Sequence, residues 1–225
     1  MTRILDMKRR PAASGTTKSV VIFLHGYGAD GADLLGLADP LAPLMPDTVF
    51  IAPDAPEASA GNPNGFQWFP IPWIDGSSDE DAMRGASMAA ADVDSFIDQI
   101  LEQEGISPSQ LILFGFSQGT MLALRVAPRR EEPVGGIVAF SGRILEPEQF
   151  NERVQSKPPV LLVHGDQDDM VPPGHFHEAG ELLEAAGFET YGHMMQGTGH
   201  GIANDGLSVA VSFMAQKLGI DLNVK

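Results

Sequence analysis

Short runs of apolar, mostly aliphatic and aromatic residues recur along the chain. Several are continuous and lack the alternation of polar and apolar positions typical of a half-exposed strand. Such runs indicate strands that are buried on both faces of a parallel sheet. The strands predicted in this way are Ser19–Leu24, Thr48–Ala52, Leu111–Phe116, Gly136–Phe140 and Pro159–Val163, with a weaker one over Glu189–Met195.

Between these runs the apolar positions recur with the period of a helix. The longest such segment spans about Glu80–Glu104, a second follows the fifth strand and ends near Gly187, and a third covers Leu207–Leu218. Strands that alternate with helices predict one doubly wound α/β domain. Ligands of such folds bind beyond the carboxyl ends of the strands, so the candidate chemistry is sought there.

The segment Gly61–Ser78 follows neither pattern. It holds both tryptophans and several prolines and glycines, and it has no clear period. Long loops of this kind in a compact domain are usually functional or mobile. Trp68, Phe69 and Trp73, together with Met170, are candidate walls of an apolar substrate pocket, and plain core or lid packing is the alternative for these side chains.

Composition narrows the class of protein. The 225 residues carry a net charge of −16, which argues against binding to nucleic acid or to an anionic membrane surface. The chain has no cysteine, which excludes thiolate chemistry. No run is apolar and long enough for a membrane span or a secretory signal, so we expect a cytoplasmic protein. Residues 1–18, with the cations Lys8–Arg10, are expected to form a solvated arm or a first strand, and 19–225 the domain.

Ser117 lies in Gly115–Gly119, which reads G-x-S-x-G, the pattern of a nucleophile elbow. The sharp turn from strand to helix needs glycine on both sides, and a strand and a helix are predicted before and after it. We therefore predict that Ser117 is a nucleophile, which requires a base and an orienting carboxylate.

Among the five histidines after Ser117, His200 stands in a glycine-rich loop between the last strand and the last helix. It is the predicted general base. His164, at the end of a buried strand, is expected to support its loop. The remaining three, His175, His177 and His193, are expected to have surface or structural positions.

Three acids follow the Pro159–Val163 strand, namely Asp166, Asp168 and Asp169. All are placed where the orienting carboxylate belongs, and periodicity does not choose among them. An oxyanion hole needs two N–H donors. One is expected from Gln118, directly after the nucleophile, and the other from the glycine-rich loop His25–Gly28.

The motifs together resemble those of the phospholipase/carboxylesterase family, which includes acyl-protein thioesterases and small bacterial carboxylesterases. They are LHGYGADG at Leu24–Gly31, APDAP at Ala52–Pro56, GFSQG at Gly115–Gly119, FSGRI at Phe140–Ile144, HGDQDDMVP at His164–Pro172 and GTGHGI at Gly197–Ile202. They stand in one order, and the resemblance extends from about Val20 to Leu218. It implies an α/β-hydrolase fold in a single domain, with a mostly parallel central sheet and helices on both faces.

The resemblance also implies site residues. The acid of the family pattern falls on Asp168, and the oxyanion amides fall on Tyr27 and Gln118. The chain departs from the pattern at Thr120, where the family often has glycine, and at Tyr27, where many thioesterases have leucine. Tyr27 is expected to narrow the acyl pocket.

The sequence thus predicts a serine carboxylesterase for neutral small-to-medium esters, acting through an acyl-enzyme without metal or organic cofactor. A small-molecule ester is the expected partner, and the oligomeric state, a homodimer included, stays open. The acids at 166–169 and 79–81 predict a negative field that disfavours anionic substrates. Alternatives are an acyl-protein thioesterase or lysophospholipase, and a non-catalytic binding protein of the same fold.

Overall fold

A seven-stranded sheet runs through the middle of the molecule, in a computed structural model that describes residues 2–222. The strands are β1 (Met7–Arg10), β2 (Ser19–Leu24), β3 (Thr48–Pro53), β6 (Leu111–Phe116), β7 (Gly136–Phe140), β8 (Val160–Gly165) and β9 (Thr190–Met195). A separate antiparallel pair is formed by β4 (Glu57–Ala58) and β5 (Phe66–Gln67). The strand order of the large sheet is β1-β3-β2-β6-β7-β8-β9, and every pairing in it is parallel except β1 with β3.

Helices cover both faces of this sheet. They are α1 (Gly31–Leu35), α2 (Ala38–Leu41), α3 (Pro72–Asp75), α4 (Asp79–Glu104), α5 (Gln118–Val126), α6 (Gly174–Ala185) and α7 (Asn204–Leu218). Apolar side chains of α4, α5 and α6 belong to one core cluster, and those of α1, α2 and α7 belong to the other. No helix among residues 2–222 is long and apolar enough to cross a membrane.

The two core clusters meet at opposite faces of each central strand. In β2, Val20 and Ile22 pack on the side of α4 and α5, whereas Val21 and Phe23 pack on the side of α1 and α7. All six residues of β2 are buried. Full burial of each such side chain contributes about 1.5–3 kcal/mol, which explains why the run is continuous and apolar.

The expected alternatives for the N-terminal segment are resolved in favour of a strand. β1 pairs antiparallel with β3 at the edge of the sheet. The cations that suggested a solvated arm are instead paired: Lys8 with Asp54, Arg9 with Glu104 and Arg10 with Asp39. Charged side chains on an edge strand also hinder its pairing with another chain.

The long helix α4 begins one residue earlier than its apolar pattern indicates. The hydroxyl of Ser78 caps it by accepting the N–H of Asp81. Three acids, Asp79, Glu80 and Asp81, occupy the first turn, where the helix dipole stabilises negative charge. The helix ends at Glu104, before Gly105 in the left-handed conformation.

The strand order creates a topological switch point between β2 and β6. After β2 the chain turns to α1 on one face, and after β6 it turns to α5 on the other. The two loops therefore diverge at the carboxyl edge and leave a crevice between them, which is the usual ligand site of such sheets. The loop that begins at His25 and the turn at Ser117 border this crevice.

Candidate active site

Ser117 stands at the apex of the turn from β6 to α5, with φ 54° and ψ −113°. Its N–H donates to the carbonyl of Phe140 at 2.9 Å, which holds this unusual backbone in place. A Cβ at Gly115 would lie 2.5 Å from the N of Thr120, and one at Gly119 would lie 1.9 Å from the carbonyl oxygen of Leu24. Both glycines are therefore required by close backbone contacts.

Thr120, the departure from the family pattern, fastens the start of α5 to the sheet. Its buried hydroxyl has two acceptors in reach, the carbonyl oxygens of Gly115 at 2.8 Å and Phe140 at 2.7 Å. A Cβ at Gly142 would lie 2.4 Å from Cγ2 of Thr120. The larger residue at 120 is thus accommodated because position 142 is glycine.

Asp168 lies in the loop after β8, only 3% exposed, and contacts His200. Its Oδ2 lies 2.8 Å from Nδ1 of His200. Its Oδ1 accepts the backbone N–H groups of Met170 at 3.0 Å and Val171 at 2.8 Å, which fix the rotation of the carboxylate. An ionised carboxylate only accepts hydrogen bonds, so His200 carries its proton on Nδ1 and keeps a lone pair on Nε2.

The His200 ring lies beside the turn that holds Ser117. It packs on Phe116, the residue before Ser117, with the ring centroids 4.9 Å apart. Gly26, from the loop after β2, lies close to both Phe116 and Ser117. A Cβ there would lie 3.1 Å from the Phe116 ring and 3.4 Å from Cβ of Ser117. Three of the predicted site segments therefore converge at one point.

The structure distinguishes the three acids that the sequence pattern left open. Only Asp168 contacts His200; Asp166 accepts the N–H of Thr198 at 3.2 Å, and Asp169 is exposed. Asp166 thereby holds the loop that carries His200. The carbonyl of Thr198 approaches so closely that a Cβ at Gly165 would lie 2.3 Å from it.

His164 supports the loop after β8 that carries Asp168, which is the role expected from its place in the sequence. Its Nε2 lies 2.8 Å from the carbonyl oxygen of Val171 and 3.4 Å from Oδ2 of Asp168. Since both atoms are acceptors, the proton of His164 is on Nε2. Burial lowers the pKa of His164 below its ordinary value and keeps the ring neutral.

The other three histidines after Ser117 lie outside the site. His175 pairs with Glu178 and His193 pairs with Asp205, each at 2.8 Å, and His177 is exposed on α6.

The side chain of Gln118 connects the segment Gly61–Ser78, called the aromatic loop below, to the start of α5. Gln118 is fully buried; its Oε1 accepts the N–H of Trp68 at 2.8 Å, and its Nε2 donates to the carbonyl of Phe69 at 2.8 Å. As the first residue of a helix, Gln118 has no intrahelical acceptor for its own N–H. That N–H is therefore free for a ligand at the helix N-terminus.

A second set of hydrogen bonds holds the loop after β2. The indole N–H of Trp68 donates to the carbonyl of His25 at 3.0 Å. Nδ1 of His25 donates to the carbonyl of Gly26 at 2.7 Å, and its Nε2 accepts the N–H of Ala55 at 3.0 Å. Both ring nitrogens are occupied, so His25 is a neutral structural residue. Burial lowers its pKa below the ordinary value of 6.5.

The segment around Tyr27 is pinned to the aromatic loop as well. The N–H of Gly28 donates to the carbonyl of Phe66, and the N–H of Phe66 donates to the carbonyl of Ala29, both at 2.8 Å. The side-chain amide of Asn62 donates to the carbonyl of Gly28, also at 2.8 Å. The segment Gly61–Ser78 is thus an organised part of the site, held by hydrogen bonds from both neighbouring loops.

The buried neutral state of His25 predicts how stability depends on pH. Because the folded state binds this proton more weakly than the unfolded state, the contribution is complete above about pH 6.5 and is lost as the pH falls below it. The loss is at most about 1.4 kcal/mol per pH unit for one histidine. We expect the free energy of unfolding, measured by urea titration at pH 7.5 and 5.5, to fall less in His25→Gln than in the wild type.

The exposed His177 provides the control for this experiment. His177→Gln leaves the buried His25 site untouched and should show the pH dependence of the wild type. Equal pH dependence of all three proteins would contradict the assignment of His25 as a buried neutral group.

An apolar pocket of about 180 Å³ lies beside the elbow. Of the residues predicted for a substrate pocket, Phe69 and Trp73 line this one. Trp68 is fully buried in the core and half-exposed Met170 is not among the lining residues. Tyr27, which was expected to narrow the acyl pocket, is not among them either, and its ring packs near Gly61.

Sequence reasoning missed three side chains of the site. Gln118 and His25 were considered only for their backbone positions, although their side chains carry the hydrogen bonds that fix the surrounding loops. Arg143 lines the pocket and lies with its guanidinium carbon 5.8 Å from the centroid of the Trp73 ring. All three lie within the motifs LHGYGADG, GFSQG and FSGRI, and this location was the signal in the sequence that pointed to them.

Comparison with known proteins finds a matching family and similar structures. Residues 11–218 match a family model described as Phospholipase/Carboxylesterase. The chain is 31% identical over 219 residues to acyl-protein thioesterase 1 of Saccharomyces cerevisiae, with 89% of this chain and 93% of the other covered. It is 26% identical over 200 residues to esterase YpfH of Escherichia coli, covering 88% and 82%. The crystal structure of esterase PE8 superposes with a TM-score of 0.91 at 42% identity, covering 96% of this chain and all of that one.

Proposed function

Since the chain belongs to the phospholipase/carboxylesterase family, whose members are serine hydrolases of the α/β-hydrolase fold, we propose that Ser117, His200 and Asp168 are its catalytic triad. We further propose that it hydrolyses neutral esters of small-to-medium carboxylic acids. The observation that carries the assignment is the 2.8 Å contact between Nδ1 of His200 and Oδ2 of buried Asp168, beside a serine on a strained elbow.

The proposed reaction proceeds through an acyl-enzyme. Nε2 of His200 takes the proton of Ser117 as its Oγ attacks the ester carbonyl, and Asp168 stabilises the imidazolium that forms. The imidazolium then donates this proton to the departing alcohol. A water molecule, activated in turn by His200, hydrolyses the acyl-enzyme and releases the carboxylic acid.

The oxyanion of each tetrahedral intermediate is assigned to the backbone N–H groups of Tyr27 and Gln118. The N–H of Gln118 points from a helix N-terminus, where developing negative charge is favoured. The hydrogen bonds of Gly28 and Asn62 hold the Tyr27 segment before substrate arrives. Donors that are fixed in advance need no reorganisation during the reaction, which is the main source of their effect.

The size of the pocket supports the preference for shorter acyl groups. Its 180 Å³ corresponds to roughly six water-sized groups at about 30 Å³ each. Each methylene that enters such a pocket adds about 0.8 kcal/mol, equivalent to about a 4-fold gain in kcat/KM. Methylenes beyond the filled pocket stay in water and add nothing.

We therefore expect a defined optimum in a series of p-nitrophenyl esters. From acetate to hexanoate kcat/KM should rise by about 4-fold per methylene, and it should stop rising or fall at longer chains. Steady-state rates for the acetate, butanoate, hexanoate, octanoate, dodecanoate and palmitate esters measure this directly. A rise that continues to palmitate would contradict the preference for small-to-medium acyl groups.

A thioesterase is the second candidate, because the yeast relative at 31% identity is named acyl-protein thioesterase 1. The proposed triad attacks oxygen esters and thioesters alike. The same series should therefore include an S-hexanoyl and an S-palmitoyl thioester and a lysophospholipid. Preference for the palmitoyl thioester over the hexanoyl compounds would select this second function, and preference for the lysophospholipid would select a lysophospholipase.

A further inference from the structure

The walls of the 180 Å³ pocket are joined to the residues that flank Ser117. Phe69 is held by the Gln118 side chain, and Met121 donates its backbone N–H to the carbonyl of Ser117 at 3.2 Å. Arg143 follows Gly142, whose Cα packs so closely that a Cβ would lie 3.0 Å from the Ser117 carbonyl oxygen. These contacts connect the pocket walls to the turn that carries Ser117, so this pocket is the candidate site for an acyl group attached to that serine.

Arg143 differs from most other arginines of this acidic chain. Within residues 2–222 no carboxylate lies in ion-pair distance of its guanidinium, and no protein acceptor takes one of its hydrogen bonds. Its contact is instead with the face of Trp73, which is 62% exposed at the pocket. The guanidinium, with its five N–H donors, thus lies over an aromatic ring beside a mostly apolar lining, without an acceptor from the described part of the chain.

The charges around the pocket decide which acceptor fits. Asp79 is the carboxylate among the lining residues, and the chain as a whole carries −16. A second negative charge in this small space would be repelled by Asp79, which offsets its attraction to Arg143. A neutral oxygen, such as that of a ketone, accepts from the guanidinium without this repulsion.

We propose that Arg143, whose guanidinium lies over the Trp73 ring, is a specificity-determining residue that donates a hydrogen bond to a neutral oxygen acceptor in the acyl group of the substrate. The proposal rests on the esterase function proposed above. It narrows the substrate class from simple aliphatic esters to esters of acids that carry a second oxygen along the chain.

The test compares esters that differ by one oxygen. The p-nitrophenyl esters of 4-oxopentanoate and 5-oxohexanoate are measured beside those of pentanoate and hexanoate, which match them in length and charge. The quantity of interest is the ratio of kcat/KM for each oxo ester to that of its matched alkanoate. In Arg143→Met, which keeps an apolar chain against Trp73, we expect the larger ratio to fall about 10-fold, with alkanoate hydrolysis within about 2-fold of the wild type.

Two further variants keep the result interpretable. Arg143→Lys keeps a charged donor but loses the planar, five-donor guanidinium, so its ratio should lie between those of the wild type and Arg143→Met. Arg84→Met removes an arginine that is exposed on α4 and paired with Asp81, and it should leave the ratio unchanged. If Arg143→Met fails to fold, the ratio in Arg143→Lys decides alone, and a wild-type value there overturns the proposal.

The remaining outcomes distinguish failure of the Arg143 proposal from failure of the proposed esterase function. An unchanged ratio in both Arg143 variants, with all four esters hydrolysed, overturns the role of Arg143 and leaves the esterase function intact. Absence of hydrolysis of every ester by the wild type overturns the esterase function itself, whereas hydrolysis that survives Ser117→Ala overturns the assignment of Ser117 as the nucleophile. The mono-p-nitrophenyl ester of glutarate tests the charge argument: if its hydrolysis depends on Arg143 more than that of the oxo esters, the preferred acceptor is a carboxylate and the neutral-oxygen proposal is wrong.

Discussion

Ser117→Ala is expected to lose labelling by a fluorophosphonate probe and to lower kcat on p-nitrophenyl butanoate by about a millionfold. The hydroxyl is the nucleophile of the acylation step in the proposed mechanism, and a methyl group cannot form the acyl-enzyme. The backbone at 117 already has positive φ with a side chain present, so alanine adds no strain that serine does not have. Thermal unfolding of the variant should therefore stay close to that of the wild type.

Ser141 supplies the matched control. It too is a serine with positive φ, at the carboxyl end of β7, and its buried hydroxyl has no hydrogen-bond partner in the described structure. Ser141→Ala should be labelled like the wild type. Labelling that persists in Ser117→Ala would show that another residue is the nucleophile, and absence of labelling and hydrolysis in the wild type would favour a non-catalytic binding protein.

The central strands could be predicted from sequence because their environment is uniform. Every residue of β2, β3 and β7 is buried, and apart from Ser19 and Thr48 at the strand starts the local pattern is apolar and needs no knowledge of partners. β1 gave no such signal. Its sequence, MKRR, is dominated by cations, and their partners Asp54, Glu104 and Asp39 are far away in the chain.

The aromatic loop is a second case in which the local sequence does not determine the environment of a side chain. Trp68 and Trp73 stand five positions apart in one aperiodic segment, yet one is fully buried and the other 62% exposed. Their difference is set by long-range hydrogen bonds, since Gln118 and His25 bind the backbone and indole of Trp68. Nothing in the local sequence distinguishes the two rings, and both were candidates for the pocket.

The choice of acid is the third case. Periodicity placed Asp166, Asp168 and Asp169 together at the end of a strand, and the family resemblance singled out Asp168. Asp168 differs physically from its two neighbours because it contacts His200, 32 positions further along the chain, and because its carboxylate accepts the backbone N–H groups of Met170 and Val171. A pattern read along the chain contains neither.

Asp168→Asn is expected to lower kcat by about 10⁴-fold while the fold is kept. The N–H groups of Met170 and Val171 need an acceptor, so the amide oxygen of the substituted side chain must take the position of Oδ1. The amide NH₂ then faces His200 and donates to its Nδ1. The imidazole is thereby held with its proton on Nε2, the nitrogen that should accept the proton of Ser117.

Asp169→Asn makes the same change of charge one residue away, on an exposed side chain, and should keep kcat within about 2-fold of the wild type, as expected for a surface substitution. Both variants are to be measured for hydrolysis, for the rate of fluorophosphonate labelling and for thermal unfolding. A loss in hydrolysis and labelling confined to Asp168→Asn, with unfolding near that of the wild type, separates a tautomer effect from general electrostatics. Comparable activity of the two variants would remove Asp168 from the triad, because an exposed neighbour cannot orient His200 and a tautomer-fixing residue cannot be replaced by its amide without loss.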